Sequence, residues 1–185
     1  MIGAATEGGK SDGGGENIGN VAEANNNGAQ GKAESVKAIA SGMKGIVEAA
    51  KKAGVELKAA AAGADGGNNT DAGKLFATDG HANANTAAIN KAAKAVSGVS
   101  GDQILNAIVT SGDGNGKKAQ DATNPIDAAI GGNGGNDQGF NNMNTDDKIA
   151  AAIVLRGMAN GGKFALAADA AANSKESLKT TWLKK

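Results

Sequence analysis

Four places in this sequence carry residue types that could do chemistry. His81 is the sole histidine and stands in TDGHANAN. A nucleophilic triad would need a nucleophile and an orienting carboxylate around it, and no nucleophile motif flanks it. His81 is read as a solvated loop residue. The segment DGNGKKAQD, Asp113 to Asp121, invites comparison with two ion-binding loops. A phosphate loop places four residues between its first glycine and Gly-Lys, then Ser or Thr for magnesium. Here three residues separate Gly112 from Gly116, and Lys118 follows Lys117. A calcium loop needs an oxygen ligand at its fifth position, glycine at its sixth and glutamate at its twelfth. Counted from Asp113, those positions hold Lys117, Lys118 and Asn124. Both comparisons fail, leaving a plain surface loop.

Asp146 and Asp147 are the third candidate. Paired acid–base work needs carboxyls that face each other, whereas neighbours on a helix point about 100° apart. Negative charge at the positive end of a helix dipole explains them better. Arg156, the only arginine, could hold an anion. Set among aliphatic residues, it is better placed to satisfy helix carbonyls or an acidic neighbour at the edge of the core. No catalytic, cofactor-binding or metal-binding residue is therefore assigned, and the expectation is a protein that is not an enzyme.

Composition narrows the classes further. The 19 basic and 19 acidic residues cancel, so the basic excess that phosphate backbones require is missing and no nucleic-acid partner is expected. Without cysteine there is no disulfide, no thiolate metal site and no cysteine nucleophile. The start, MIGAATEGGKSDGGG, has no charged leader followed by an apolar run and no cysteine to carry lipid. No stretch approaches the ~18 apolar residues of a membrane span. Taken alone, the chain reads as soluble. Large aliphatics are scarce and the hydrophobic share is mostly alanine, a strong helix former that buries little area. With a single proline and few β-branched residues outside short clusters, a sheet has little to build on.

The elements that must position these residues follow from periodicity. Lys32 to Gly54 predicts a helix whose stripe is Val36, Ile39, Met43, Ile46, Val47 and Ala50, closed by Lys51, Lys52 and a left-handed Gly54. VELKAAAAG predicts a short second helix ending at Gly63, and Lys74 to Phe76 a marginal turn. TAAINKAAKAVSG predicts a helix capped by Thr86, with Ile89, Ala92, Ala93 and Val96 inward. In SGDQILNAIVTSG, Ser100 and Gln103 form a capping box, Ile104, Leu105, Ile108 and Val109 face inward, and Gly112 stops the helix. NPIDAAIGG has Asn124 as cap and Pro125 at the first helical position.

TDDKIAAAIVLRGMANGGKFAL, Thr145 to Leu166, differs from everything else because its bulky aliphatics crowd together. Thr145 should cap it, and its apolar residues cover most of the circumference, the mark of a buried helix. Asn160-Gly161-Gly162 breaks it, and Lys163 to Ala172 is expected to resume a helix. Residues 1–30 lack periodicity and are expected to be disordered or loosely attached, 31–172 to form the helical domain, and 173–185 to be a tail or frayed helix. The fold expected is all-α: short helices around one buried central helix, with long Gly/Asn-rich loops and no sheet core. GADGGNNT, TDGHANAN and GGNGGNDQGFNNMN contain little a core would depend on, so they should accept change cheaply.

The segments KGIVEAAKKAG, AGKLFA, KAAKAVSGVSGDQILNAIV, NPIDAAIGG and above all MNTDDKIAAAIVLRGMANGGKFAL resemble the variable major protein-like (Vls) and variable large protein (Vlp) surface lipoproteins of Borrelia spirochaetes. The likeness runs in order from about Lys32 to Leu166. It implies a mostly helical lipoprotein of the outer membrane that serves antigenic variation, with silent cassettes recombining into one expressed locus to evade host antibody. It also implies that Asp146–Lys163 is nearly invariant and largely buried while the polar loops vary. Family members carry a signal peptide ending in a lipid-bearing cysteine and a constant carboxy-terminal helical part. This sequence shows neither, with SKESLKTTWLKK at its end, so a silent-cassette product or a fragment of the central variable domain is expected. The resemblance implies host antibodies as partners of the loops, outer-membrane attachment only through a lipid anchor, and surface display. A homodimer is one arrangement open to such a chain. The alternative reading is a surface module that binds a host or matrix ligand through its loops.

Overall fold

The computed structural model describes residues 21–22, 26–55, 69–79, 83–133, 138–167 and 170. In chain order the elements are α1 (Ala33–Lys52), a 3-10 helix (Thr70–Phe76), α2 (Thr86–Ser97), α3 (Gly101–Val109), α4 (Pro125–Ile130) and α5 (Asp146–Met158). Helices dominate as expected, and among the described residues there is no sheet, only three isolated β-bridges. From Glu56 onward the predicted second helix lies outside the described residues, as do His81 and the carboxy-terminal tail.

The helix α5 is the axis of the fold. It packs against α1, α2, α3, α4 and the 3-10 helix, and it lies between two hydrophobic cores. Ile149, Ala150, Ala152 and Ile153 face the core shared with α2 and the 3-10 helix. Ala151 and Leu155 face the core shared with α1, α3 and α4. Serving both sides is why its apolar residues wrap nearly the whole circumference. Its three consecutive alanines are fully buried, and their small side chains let neighbouring backbones come close.

Local chemistry sets most helix ends. The end of α1 is a Schellman motif: Val55 N–H donates to Ala50 O at 2.9 Å and Gly54 N–H to Lys51 O at 3.0 Å, with Gly54 at φ 82°. The Ser100–Gln103 capping box is formed in both directions, and Asn124 with Pro125 starts α4. Other ends depart from expectation. Asn85, not Thr86, caps α2, its side chain accepting from Ala88 N–H. Helix α3 ends at Val109 rather than Gly112, because the Thr110 and Ser111 hydroxyls donate to the carbonyls of Asn106 and Ala107 and close the last turn.

Burial also departs in detail. Ile46 is 55% exposed, since α1 turns Val36, Ile39, Ala40 and Val47 inward and Ile46 sits about 100° from Val47. On α3 only Ala107 and Ile108 are fully buried, leaving Ile104, Leu105 and Val109 partly covered; on α2 Ala95 takes the inward place expected of Ala93.

The largest correction follows Gly162. Lys163 to Ala167 is not a helix but an extended segment. Phe164 O accepts from Ala22 N–H, Lys163 and Ala29 exchange two main-chain bonds, and Leu166 and Asn26 exchange two more. Ala165 N–H donates to Leu75 O and Ala167 N–H to Ala84 O. Phe164 through Ala167 are all buried, so this is a strand-like run covered on both faces. A short continuous apolar run cannot be told from a buried helix by periodicity. The pairing also ties down Val21, Ala22 and Asn26 to Ala29, where loose attachment was expected.

Candidate functional site

The loop that begins at Asp113 is folded back onto α4. Asp127, buried at the start of that helix, accepts through Oδ1 from Asn115 N–H at 2.9 Å and through Oδ2 from Asn124 Nδ2 at 2.9 Å. The Lys117 ammonium stands 3.5 Å from Oδ2, and Lys117 N–H donates to Asp127 O. Lysine at this place neutralises the carboxylate that a cation would need. Ala119 and Ala122 are buried in the first core, so the loop is part of the packing and more than a surface connection.

Asp146 and Asp147 diverge as helix geometry requires. Asp146 is buried and accepts from Asn69 Nδ2 at 2.9 Å, tying the start of α5 to the residue that precedes the 3-10 helix. Asp147 Oδ1 accepts from Lys148 N–H. Thr145, the expected cap, makes no capping bond, and its buried hydroxyl has no partner. A buried unpaired hydroxyl costs about 1–3 kcal/mol. Thr145→Val, which keeps the shape, should therefore leave stability unchanged or raise it by up to ~1 kcal/mol. A loss of that size in the unfolding free energy, read from urea denaturation, would show that the hydroxyl does cap α5. Among the described residues, no group of three or more His, Asp or Glu side chains is placed to hold a metal.

Arg156 is the most deeply buried charged side chain among the described residues. Its side chain is fully buried, beyond the edge-of-core position expected. Nε donates to Ala129 O at 2.6 Å, Nη2 to Ala128 O at 2.9 Å and Nη1 to Ala29 O at 2.6 Å. The first two carbonyls belong to the last turn of α4, where the dipole favours a cation. The third belongs to the segment paired with Lys163. The guanidinium carbon stands 5.0 Å from the centre of the Phe76 ring, within cation–π range. Phe76 in turn makes edge contacts with Phe140 at 5.3 Å and Phe164 at 5.5 Å, so all three phenylalanines of the chain gather beside its one arginine.

Burial pushes the Arg156 pKa down to about 9, still well above neutrality, so the group stays charged. Gly131, at φ 83°, lets the α4 terminus come this close. A Cβ there would lie 2.5 Å from Nη2. Arg156 is thus a structural rivet joining α5, α4, the 3-10 helix and the segment before α1. No room is left for an outside anion.

Outward, the polar loops alternate solvent-facing stretches with anchors. Asn133, Gln138, Asn141, Asn142 and Asn144 are exposed. Phe140 and Met143, between them, are buried, and Phe140 N–H donates to Thr70 O at 2.8 Å. Ala84 is buried in TDGHANAN. The expectation that these loops hold little the core depends on is therefore corrected. A chain so short of bulky residues recruits the ones in its loops. A lone phenylalanine within a Gly/Asn run was the available signal.

Helices gathered on a buried, arginine-riveted axis, with described loop residues that alternate between buried anchors and exposed asparagines before α5, define an all-helical scaffold. Residues 2–182 match the family described as Borrelia lipoprotein, and the chain belongs to that family. It is 41% identical to the Lyme disease variable surface antigen VlsE of Borrelia burgdorferi, whose crystal structure superposes with a TM-score of 0.80 over 97% of this chain and 62% of that one. It is 36% identical to Variable large protein 25 of Borrelia hermsii over 151 residues, 78% of this chain and 41% of the relative. With Variable large protein 7 of the same organism identity is 38% over 135 residues, 70% and 36% of the two chains. The chain spans less than half the length of these two relatives.

Proposed function

We propose that this chain is the variable domain of an antigenic-variation protein displayed on the outer surface through its family's lipid anchor, and that it acts without catalysis. Its task is to keep one fold while the surface seen by host antibody changes. The observation that supports this most is the contrast within one molecule. From Ile149 to Gly157 every residue but Val154 is buried, while Asn133, Asn141, Asn142 and Asn144 of the loop before α5 stand in solvent. Substitution in solvent-facing loops costs little, so the exterior is free to vary so long as Phe140, Met143 and the arginine rivet remain.

The test uses antibodies raised against the isolated Asp146–Lys163 peptide. They should bind the unfolded chain and bind the native chain weakly. Strong binding to the intact folded protein would overturn the division between hidden axis and mutable surface.

A further inference from the structure

Four Asn-Gly pairs occur in this sequence, Asn27-Gly28, Asn115-Gly116, Asn133-Gly134 and Asn160-Gly161. Such pairs share one intrinsic chemistry, because glycine's bare Cα lets its backbone nitrogen reach the preceding side-chain amide. The structure separates them. Gly28 N–H is engaged by Ala77 O at 2.9 Å. The Asn133 carboxamide oxygen accepts from Gln30 Nε2 at 2.8 Å. Asn160 is held at both ends, its N–H by Ser35 Oγ and its carbonyl by Lys32 N–H. Asn115 differs. It is exposed, and among the described residues neither its carboxamide nor Gly116 N–H has a partner, while Asn115 N–H and Lys117 N–H are both bonded to Asp127.

We propose that Asn115 is a site of spontaneous deamidation, which recasts the loop over α4 without any change of sequence. The Gly116 nitrogen attacks Cγ of Asn115, a new N–C bond closes a succinimide ring, and the side-chain nitrogen leaves as ammonia with the proton from Gly116. Water then opens either ring carbonyl, giving aspartate or isoaspartate. The balance is one water in and one ammonia out, with no oxidant or reductant. Either product adds a negative charge two residues from Lys117, the cation that faces Asp127. Isoaspartate also inserts one atom into the main chain between the two N–H groups that bind Asp127, so both bonds cannot be kept. The altered loop face matters for recognition only under the display function proposed above, whereas the modification itself does not depend on it.

The full folded chain is aged at neutral pH and body temperature, and the conversion of each Asn-Gly pair is followed by peptide mass mapping. Asn115 should convert about tenfold or more ahead of Asn27 and Asn160, whose main-chain bonds must first open locally, and ahead of Asn133, whose carboxamide must first leave Gln30. In the urea-unfolded chain the four should convert at similar rates, all faster than folded Asn115. If Asn115 in the folded chain proves no faster than the other three, the proposal fails. Asn115→Gln, checked for native circular dichroism, should abolish the signal at this site alone; persistence there would equally overturn it. Antibody raised to fresh protein should lose binding to the aged wild type and keep binding to aged Asn115→Gln. Undiminished binding to fully converted wild type would remove the recognition consequence and leave the modification standing.

Discussion

Replacing Arg156 with methionine should lower the unfolding free energy by about 3–5 kcal/mol. Methionine fills comparable space but donates nothing, so the carbonyls of Ala128 and Ala129 lose their donors in a site closed to water, while Ala29 O loses one of two and keeps Lys163 N–H. Each buried unpaired acceptor costs about 1–3 kcal/mol before relaxation. Relief of the buried charge works in the opposite direction, which is why these costs should not simply add. Arg156→Lys should recover only part of the loss, since an ammonium cannot reproduce the planar fork that reaches three separate carbonyls. The check is urea denaturation at neutral pH with an unchanged m-value, supported by a fall in Tm of roughly 10 °C. A loss under ~1 kcal/mol would mean that the rivet is dispensable.

The second large effect lies in a loop. Phe140→Ala should cost about 3–5 kcal/mol, although the residue sits in a run of glycine and asparagine. Its ring is packed edge-on against Phe76, and the cavity left behind would open beside the ring that carries the Arg156 guanidinium. Asn141→Ser and Asn144→Ser, one and four residues away and both exposed, should each change stability by less than ~0.5 kcal/mol. Parallel melting curves of the three variants decide the matter. Equal tolerance at all three positions would show that the loop has no anchor. A large loss at Asn141 or Asn144 would show that the exposed stretches are not free to vary, which would count directly against the proposed function.

These two residues share one cluster but were not equally visible beforehand. Arg156 stands out as the only arginine, inside the one segment dense in large aliphatics, and its sequence context points to helix carbonyls or an acidic neighbour as partners. Ala128 and Ala129 supply two of them. Ala29, 127 residues away in sequence, could not be foreseen, because nothing in an unperiodic Gly/Asn segment marks it as paired. Phe140 carries no such mark, because the composition of a loop says how cheaply its backbone bends, and not which side chain the core will take.

The linear chain by itself determined that the protein is helical, where α1 ends and α3 and α4 begin, and that α5 is buried. Each of these rests on contacts within about four residues: alanine propensity, the Ser100–Gln103 box, Asn124 before Pro125, and an apolar surface too wide for water. Tertiary structure alone decided the rest. It drew Lys163 to Ala167 into extended pairing with the segment before α1, turned Ile46 outward, left Thr145 without a capping bond and carried Phe140 inside. In each case the deciding partner comes from elsewhere in the chain. Where bulky side chains are few, local preference is weak, and the scarce long-range contacts settle the conformation.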